Sequence, residues 1–226
     1  MKPATIEADG TRTHELEFPA KPGPVSVDQL TDADREALRG LGAGRGLVID
    51  VGTFLGGSAE ALLEGMDGKG RLVTLDTFTG SPESITAKVP PERMVQYALQ
   101  RLARFGGQVT LIAGASISTA ALFARQSADL VFIDAAHDYA NCRADIAAWL
   151  PVLKPSGLMV GHDFEKRVAE DLAWDEIVER SVMEYDKKSQ AHWGVIRAVV
   201  ESFREFAFAK SADSSIWLAK PDWVRA

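Results

Sequence analysis

Five short apolar runs constrain the fold of this 226-residue chain more than any other feature. They are GLVIDVG (46–52), GRLVTLD (70–76), QVTLIAG (108–114), DLVFID (129–134) and GLMVGHD (157–163). Each is nearly continuously hydrophobic, and each ends in an acid or a glycine. A strand wet on one face alternates apolar and polar residues, whereas a strand covered on both faces does not. Between the runs lie SAEALLEGM, ERMVQYALQRLARFG, STAALFARQ and NCRADIAAWLPVL, whose apolar residues recur at helical spacing. Alternating strand and helix predicts parallel strands joined by crossover helices, a doubly wound α/β sheet. Farther on, the pattern predicts a helix around 167–181 and another in GVIRAVVESFREF. The runs FAFAK and SSIWLAK, separated by a short link, then predict an antiparallel pair that closes a mostly parallel seven-stranded sheet.

The length and the 46% hydrophobic content suit one sizeable core. Residues 1–25, polar and broken by proline and glycine, read as an irregular arm, and 26–226 as one domain. At the domain's start VDQLTDADREALRGL is helical in pattern, with Thr31 as N-cap and glycines at 40, 42 and 44 to end it. A formal net charge of -7 argues against nucleic acid and against an anionic membrane surface as partners. The single cysteine, Cys142, excludes an internal disulfide and reads as a small buried apolar residue. No signal-peptide pattern opens the chain, and no run approaches the roughly 18 apolar residues of a membrane span. A soluble, cytoplasmic protein is the expectation.

The turn after the first run, VIDVGTFLGGSAEALL, sits where ligands of open α/β sheets bind. Gly52 permits an unusual turn, Gly56 and Gly57 allow close backbone approach, and Ser58 is placed to cap the following helix. The pattern is D-x-G-x-x-x-G, not the G-x-G-x-x-G that seats a pyrophosphate, so a nucleoside without a diphosphate is expected. The second run ends at Asp76, where a carboxylate can accept two hydrogen bonds from a ribose diol.

Together VIDVGTFLGGS, LVTLDTF, LVFIDAAHDY and LKPSGLMVGHDF resemble the class I S-adenosylmethionine-dependent methyltransferases. They are most similar to a small bacterial group that contains sugar and macrolide O-methyltransferases. The resemblance spans about residues 45–220 and implies a Rossmann-like sheet. It implies that Asp50, Gly52 and Gly56 surround the methionine part of the cofactor and that Asp76 binds the ribose. Thr53, Ser58 and Asp134 join that expected cofactor-binding set. Where such families often carry an acid beside the adenine, this chain has Ala115 and Ser116, so Ser116 or backbone groups are left to serve.

Polar residues end the fourth and fifth runs, and three readings of them stay open. By resemblance, Asp134, His162 and Asp163 match positions that hold a divalent metal such as Mg²⁺ or Mn²⁺. His162 stands where the metal-dependent members carry an acid, and imidazole suits softer cations. Alternatively, His137 or His162 acts as a metal-free general base, with Asp134 or Asp163 orienting the ring. In the blandest reading His137 bonds its own loop and Asp163 caps the next segment. His192 reads as an exposed loop histidine, Asp138 as a helix cap, and 77–94 as a loop over the cofactor cleft. The implied reaction is methyl transfer to a hydroxyl of a small acceptor such as a sugar or polyketide, in a chain that can pair as a homodimer. Two competing functions are a silent nucleoside-binding protein of the same fold and a nicotinamide-dependent oxidoreductase. The latter lacks both its glycine motif and a Tyr-x-x-x-Lys pair here.

Overall fold

The computed structural model describes residues 30–80, 90–166, 173–211 and 214–225, plus the backbone of a short antiparallel pairing of Thr5–Ile6 with Arg12–Thr13. The rest of the expected 1–25 arm, residues 81–89 of the 77–94 loop and the start of the helix expected at 167–181 lie outside the described residues.

Seven strands form one sheet. They are β1 (Leu47–Val51), β2 (Arg71–Asp76), β3 (Val109–Ala113), β4 (Ala128–Ile133), β5 (Leu153–Gly161), β6 (Ala207–Phe208) and β7 (Trp217–Ala219). Their order across the sheet is β3-β2-β1-β4-β5-β7-β6. The first five run parallel, and β7 lies antiparallel to both β5 and β6. The Rossmann-like sheet and its antiparallel closing pair are as the sequence predicts. The order reverses between β1 and β4, and the crevice at that switch lies beyond the carboxyl ends of the strands.

The apolar runs do not alternate because both faces of the sheet are covered. Successive residues serve opposite cores. Val48, Leu130, Phe132 and Val160 pack with Leu38 of α1 (Asp32–Gly42), Leu62, Leu63 and Met66 of α2 (Gly57–Met66), and Leu102 of α3 (Pro91–Leu102). Ile49, Val51, Val131, Ile133 and Met159 pack on the other side. Their partners include Cys142, Ile146 and Trp149 of α5 (Tyr139–Trp149), Ile177 of α6 (Trp174–Arg180), and Trp193, Ile196 and Val199 of α7 (Trp193–Ser202). Cys142 is buried among them, as expected. Among the described residues no helix is long and apolar enough to cross a membrane.

Local chemistry sets the ends of the elements. Thr31 caps α1 through a capping box: its Oγ1 accepts from Asp34 N at 3.1 Å, and its own N donates to Asp34 Oδ2 at 3.0 Å. Gly40 and Gly42 fall inside the helix, which stops before Gly44, whose φ is +72°. The segment read as a helix in STAALFARQ forms only α4 (Ser116–Ala120) before turning. Strand β5 begins at Leu153, four residues before the expected start. It pairs Leu153 with Ala128 and then shifts register at Leu158–Leu130, so KPSG bulges out of an otherwise continuous strand.

Gly194 fixes how α7 approaches the site. A Cβ there would lie 2.1 Å from the carbonyl oxygen of His137 and 2.4 Å from Tyr139 N. Backbone can therefore pack on backbone only without a side chain. Gly194→Ala is expected to force α7 away from residues 137–139 and lower stability by roughly 1–3 kcal/mol, the cost of overpacking. A thermal melt should show a drop of several degrees, and an unchanged melt would contradict this contact.

Candidate active site

The carboxyl ends of β1, β2, β4 and β5 gather the predicted residues along one edge. After β1 the chain turns through Gly52, whose φ is +103° and whose Cβ would sit 1.8 Å from the backbone oxygen of Asp134. Only glycine lets the loop after β1 rest on the tip of β4. Gly56, at φ +82°, is the N-cap of α2. Ser58 does not cap that helix, contrary to expectation. It is already the second residue of the helix, is buried, and lies near enough to Asp50 to favour that carboxylate's charged form.

Asp50 is fully buried at the centre of this half of the site. Thr74 donates to its Oδ2 at 2.5 Å, and Thr53 Oγ1 lies 2.5 Å from Thr74 Oγ1. Oδ1 has no partner. Burial, with help from the nearby charges of Asp134 and Asp76, pushes the Asp50 pKa up to about 7 against the hydrogen bonds of Thr74 and Ser58. Asp76, at the tip of β2, accepts from Phe54 N at 2.8 Å and Phe78 N at 2.7 Å, one on each oxygen. Burial nevertheless holds its pKa above the ordinary value. Ser116 lies farther along the edge. Its Oγ accepts from Trp149 Nε1 at 2.9 Å and its hydroxyl hydrogen-bonds Asp145. Those bonds anchor the hydroxyl in the protein.

The second half of the edge is a chain of acids and imidazoles. His137 Nε2 lies 3.3 Å from Asp134 Oδ1 and 3.0 Å from Asp163 Oδ2. His162 Nδ1 lies 2.9 Å from Asp163 Oδ1, and its Nε2 lies 3.2 Å from Asp34 Oδ2 without hydrogen-bond alignment. Burial disfavours both imidazolium ions, but the surrounding carboxylates outweigh it. They hold the pKa values of His137 and His162 well above that of a free imidazole. Partial burial by itself would raise the pKa of Asp163, yet His162 and His137 hold it well below the ordinary carboxylate range. Its φ of +62° lies in the left-handed region, and its carboxylate faces the two rings; the segment it was expected to cap continues into residues outside the described ones. Asp138 does cap α5, accepting from Asn141 N at 3.1 Å.

Two members of this chain escaped the sequence. Asp34 draws no notice in the sequence, yet it is buried against His162 and also accepts from Ser214 Oγ at 2.7 Å. His192 is not an exposed loop residue. Its Nδ1 lies 2.6 Å from Glu165 Oε1, its N donates to Glu165 Oε2 at 3.0 Å, and its ring stands 4.8 Å from that of His137. No local pattern marks either one, because long-range packing supplies both partners. Tyr139, by contrast, faces away from the cluster's chemistry, bonding Glu201 under the guanidinium of Arg197.

The expected metal set, Asp134, His162 and Asp163, offers ligand atoms within 4.8 Å of one another. His162 fits that task poorly. It is almost fully buried, and both ring nitrogens face carboxylates. To ligate, it must give up a buried ion pair. The residues expected around the cofactor fit better: Asp50 keeps one buried carboxylate oxygen without a partner, beside the turn at Gly52.

The ion pair also shapes stability. Burial opposes the charge on Asp34, but His162, Ser214 and Thr31 together lower its pKa from 3.8 to about 2. A folded pKa below the unfolded one adds stability above about pH 4 that is lost as pH falls towards 2. The raised His162 acts in the opposite sense, adding stability at acid pH that is lost as pH rises through its folded pKa. Asp34→Asn, which leaves the imidazolium buried with one counter-charge, should cost roughly 3 kcal/mol at neutral pH. Urea unfolding at pH 7 and pH 3 should show that loss shrinking at the lower pH. Equal losses at both would refute the pairing.

Comparison with known proteins places this geometry. Residues 49–164, from β1 through the tip of β5, match a family described as a methyltransferase domain. No curated protein matches. Among solved structures, cofactor-bound Rv0187 from MTB superposes with a TM-score of 0.59 at 22% identity, over 84% of this chain and 80% of that one. The O-methyltransferase TomG from Streptomyces achromogenes, in complex with SAM, gives 0.56 at 16% identity over 84% and 80%. An O-methyltransferase from Bacillus cereus in complex with SAH gives 0.55 at 18% over 86% and 83%. At these identities the structures speak for the fold, while the sequence match covers more than half of the chain. The chain therefore belongs to the methyltransferase domain family, with the strand order and motif order of its class I, S-adenosylmethionine-dependent enzymes.

Proposed function

We propose that this protein transfers the methyl group of S-adenosylmethionine to a hydroxyl oxygen of a small acceptor, a sugar or polyketide hydroxyl being the best match to its motifs. One observation carries the reading: the backbone of Asp134 rests on Gly52, so the acid–imidazole cluster begins where the glycine loop starts. Donor and acceptor sites then share a wall. S-adenosylmethionine supplies a methyl already activated as a sulfonium, so the protein's own task is to orient the two molecules and take a proton.

The residues divide that task along the edge. Asp50, Gly52, Thr53, Gly56 and Ser58 form the methionine end. There the free Asp50 Oδ1 can meet an ammonium, which would draw its raised pKa back down. Asp76 offers its carboxylate to the ribose while two backbone N–H groups hold it in place. The bonds from Ser116 to Trp149 and Asp145 leave its hydroxyl little freedom, so backbone groups around Ala115 are better suited to the adenine.

At the acceptor end, burial works against the charge on His137, but the carboxylates of Asp134 and Asp163 raise its pKa well above that of a free imidazole and favour the charged form over a role as base. We assign that role to the carboxylate of Asp134. The acceptor oxygen attacks the methyl carbon as the carbon–sulfur bond breaks, and its proton passes to Asp134. The adjacent imidazolium of His137 stabilises negative charge as it develops on the oxygen. His162 acts through Asp163 and is a positioning residue.

Two variants separate the halves. Asp76→Ala should weaken S-adenosylhomocysteine binding about 10–100-fold in a calorimetric titration, the worth of hydrogen bonds to a charged group. Asp134→Asn should keep that affinity and lower kcat about 100-fold or more on any hydroxyl acceptor found by screening. Unchanged affinity in the first would remove Asp76 from the ribose. Binding without turnover on any acceptor in the unaltered protein would point to a silent nucleoside-binding protein.

A further inference from the structure

The loop between α6 and α7, residues 181–192, is tied down firmly yet turns apolar side chains outward. Ser181 is fully buried, and its carbonyl oxygen accepts from Tyr139 N at 3.1 Å. Asp186, also buried, gathers the rest of the loop. Its carboxylate accepts from Arg180 Nη1 at 2.8 Å, Ser189 Oγ at 2.6 Å and Lys188 N at 3.0 Å, and its backbone pairs with Ala191. Between these anchors stand Val182, Met183 and Tyr185, exposed by 76%, 41% and 38%. Single exposed apolar residues are ordinary, but three within four positions of a pinned loop form a surface.

That surface joins the acceptor end. The Tyr185 ring lies 4.9 Å from that of His192, which lies 4.8 Å from that of His137. The three rings form a row that starts on the exposed loop and ends at His137, whose Nε2 is 3.3 Å from Asp134 Oδ1. A molecule lying along this row meets apolar and aromatic side chains at one end and charge at the other. Sugar hydroxyls placed on such a wall give up water for no partner. An aromatic face suits Tyr185 by stacking and Met183 by sulfur contact.

Base strength points the same way. A carboxyl group gives up its proton near a pKa of ~4, a phenol near ~10 and water near ~15.7. Alkyl and non-anomeric sugar hydroxyls lie nearer to water. Where a carboxylate is the proton acceptor, a phenol closes roughly half of that gap.

We propose that Val182, Met183 and Tyr185 form an acceptor wall that selects a hydroxyl on a planar aromatic ring, a phenol, over a sugar, with Tyr185 as the specificity-determining contact. The inference rests on the methyl-transfer reading and narrows its acceptor. The phenol oxygen bonds to the methyl carbon as the carbon–sulfur bond breaks and its electron pair returns to sulfur. The phenolic proton passes to Asp134 and then to water, while His137 steadies the charge on the oxygen.

The test uses the full chain, with and without saturating S-adenosylhomocysteine. Three probes are titrated by calorimetry and by ligand-detected NMR: naphthol, naphthylmethanol, which has the same rings but an alkyl hydroxyl, and methyl glucoside. Both naphthyl probes should bind at least about tenfold more tightly than methyl glucoside. Tyr185→Ala should weaken them about fivefold to tenfold, and Tyr185→Phe should restore most of the loss, with melts confirming that each variant folds. With labelled S-adenosylmethionine, naphthol should be methylated at least about 100-fold faster than naphthylmethanol. No naphthol binding, binding no tighter than that of methyl glucoside, unchanged affinity in a folded Tyr185→Ala, or turnover of naphthol no faster than that of naphthylmethanol would each overturn the proposal. So would a dimer in sedimentation that Val182→Asp separates, because a second copy would then cover the wall. Methylation of methyl glucoside but not of naphthol removes the phenol acceptor and leaves methyl transfer standing. Naphthol binding through Tyr185 without S-adenosylhomocysteine binding removes the methyl-transfer reading and keeps the wall's preference for an aromatic ring.

Discussion

A single line of alternating charge runs through the structure: Asp34, His162, Asp163, His137, Asp134. It begins in the first turn of α1, crosses the tip of β5 and ends at the tip of β4. Taking ions out of water costs several kcal/mol for each, and mutual attraction does little more than offset this. The line is therefore a weak source of stability and a strong source of specificity. Each imidazolium sits between two carboxylates, so a shift of any one element leaves a buried charge without its counter-charge. The relative positions of α1, β4 and β5 are fixed by electrostatics that the apolar cores, being non-directional, cannot supply.

Asp34 shows how local and global structure share one side chain. Its Oδ2 closes the capping box of α1, its Oδ1 accepts from Ser214 ahead of β7, and the same carboxylate faces His162. The helix start, the closing strand pair and the site thus meet at one group. The low pKa of Asp34 records that convergence, because each partner favours the charged form against the cost of burial.

How much of this the sequence discloses depends on the range of the interaction. Strands β1 and β4, covered on both faces, announce themselves as continuous apolar runs, and the order of the strands' polar ends is legible too. Thr31 and Asp138 are legible as caps because a cap is decided within four residues. Ser58 misleads for a related reason: the pattern shows a serine near a helix start but not that buried Asp50 draws its hydroxyl inward. The bulge at KPSG depends on pairing with β4, and the environments of Asp34, Glu165 and His192 depend on contacts between distant segments. A histidine in a polar loop gives no sign that a glycine two residues later will let its helix press against the opposite loop.

That pair, His192 and Gly194, gives the acceptor side its shape. Gly194 allows α7 to lie on the backbone of His137–Tyr139, and this contact carries His192 to within ring distance of His137. Gly52 does the corresponding work at the other end, letting the loop after β1 lie on Asp134. Both close approaches converge on one short segment, residues 134–139, pressed by Gly52 from the loop after β1 and by Gly194 from α7. Under the methyl-transfer reading proposed above, donor and acceptor must be held in line, so tolerance for misalignment is small. Clamping a single loop between two side-chain-free backbones satisfies that demand with rigid main chain, and it sets the side chains of Asp134 and His137 in the acid–imidazole line.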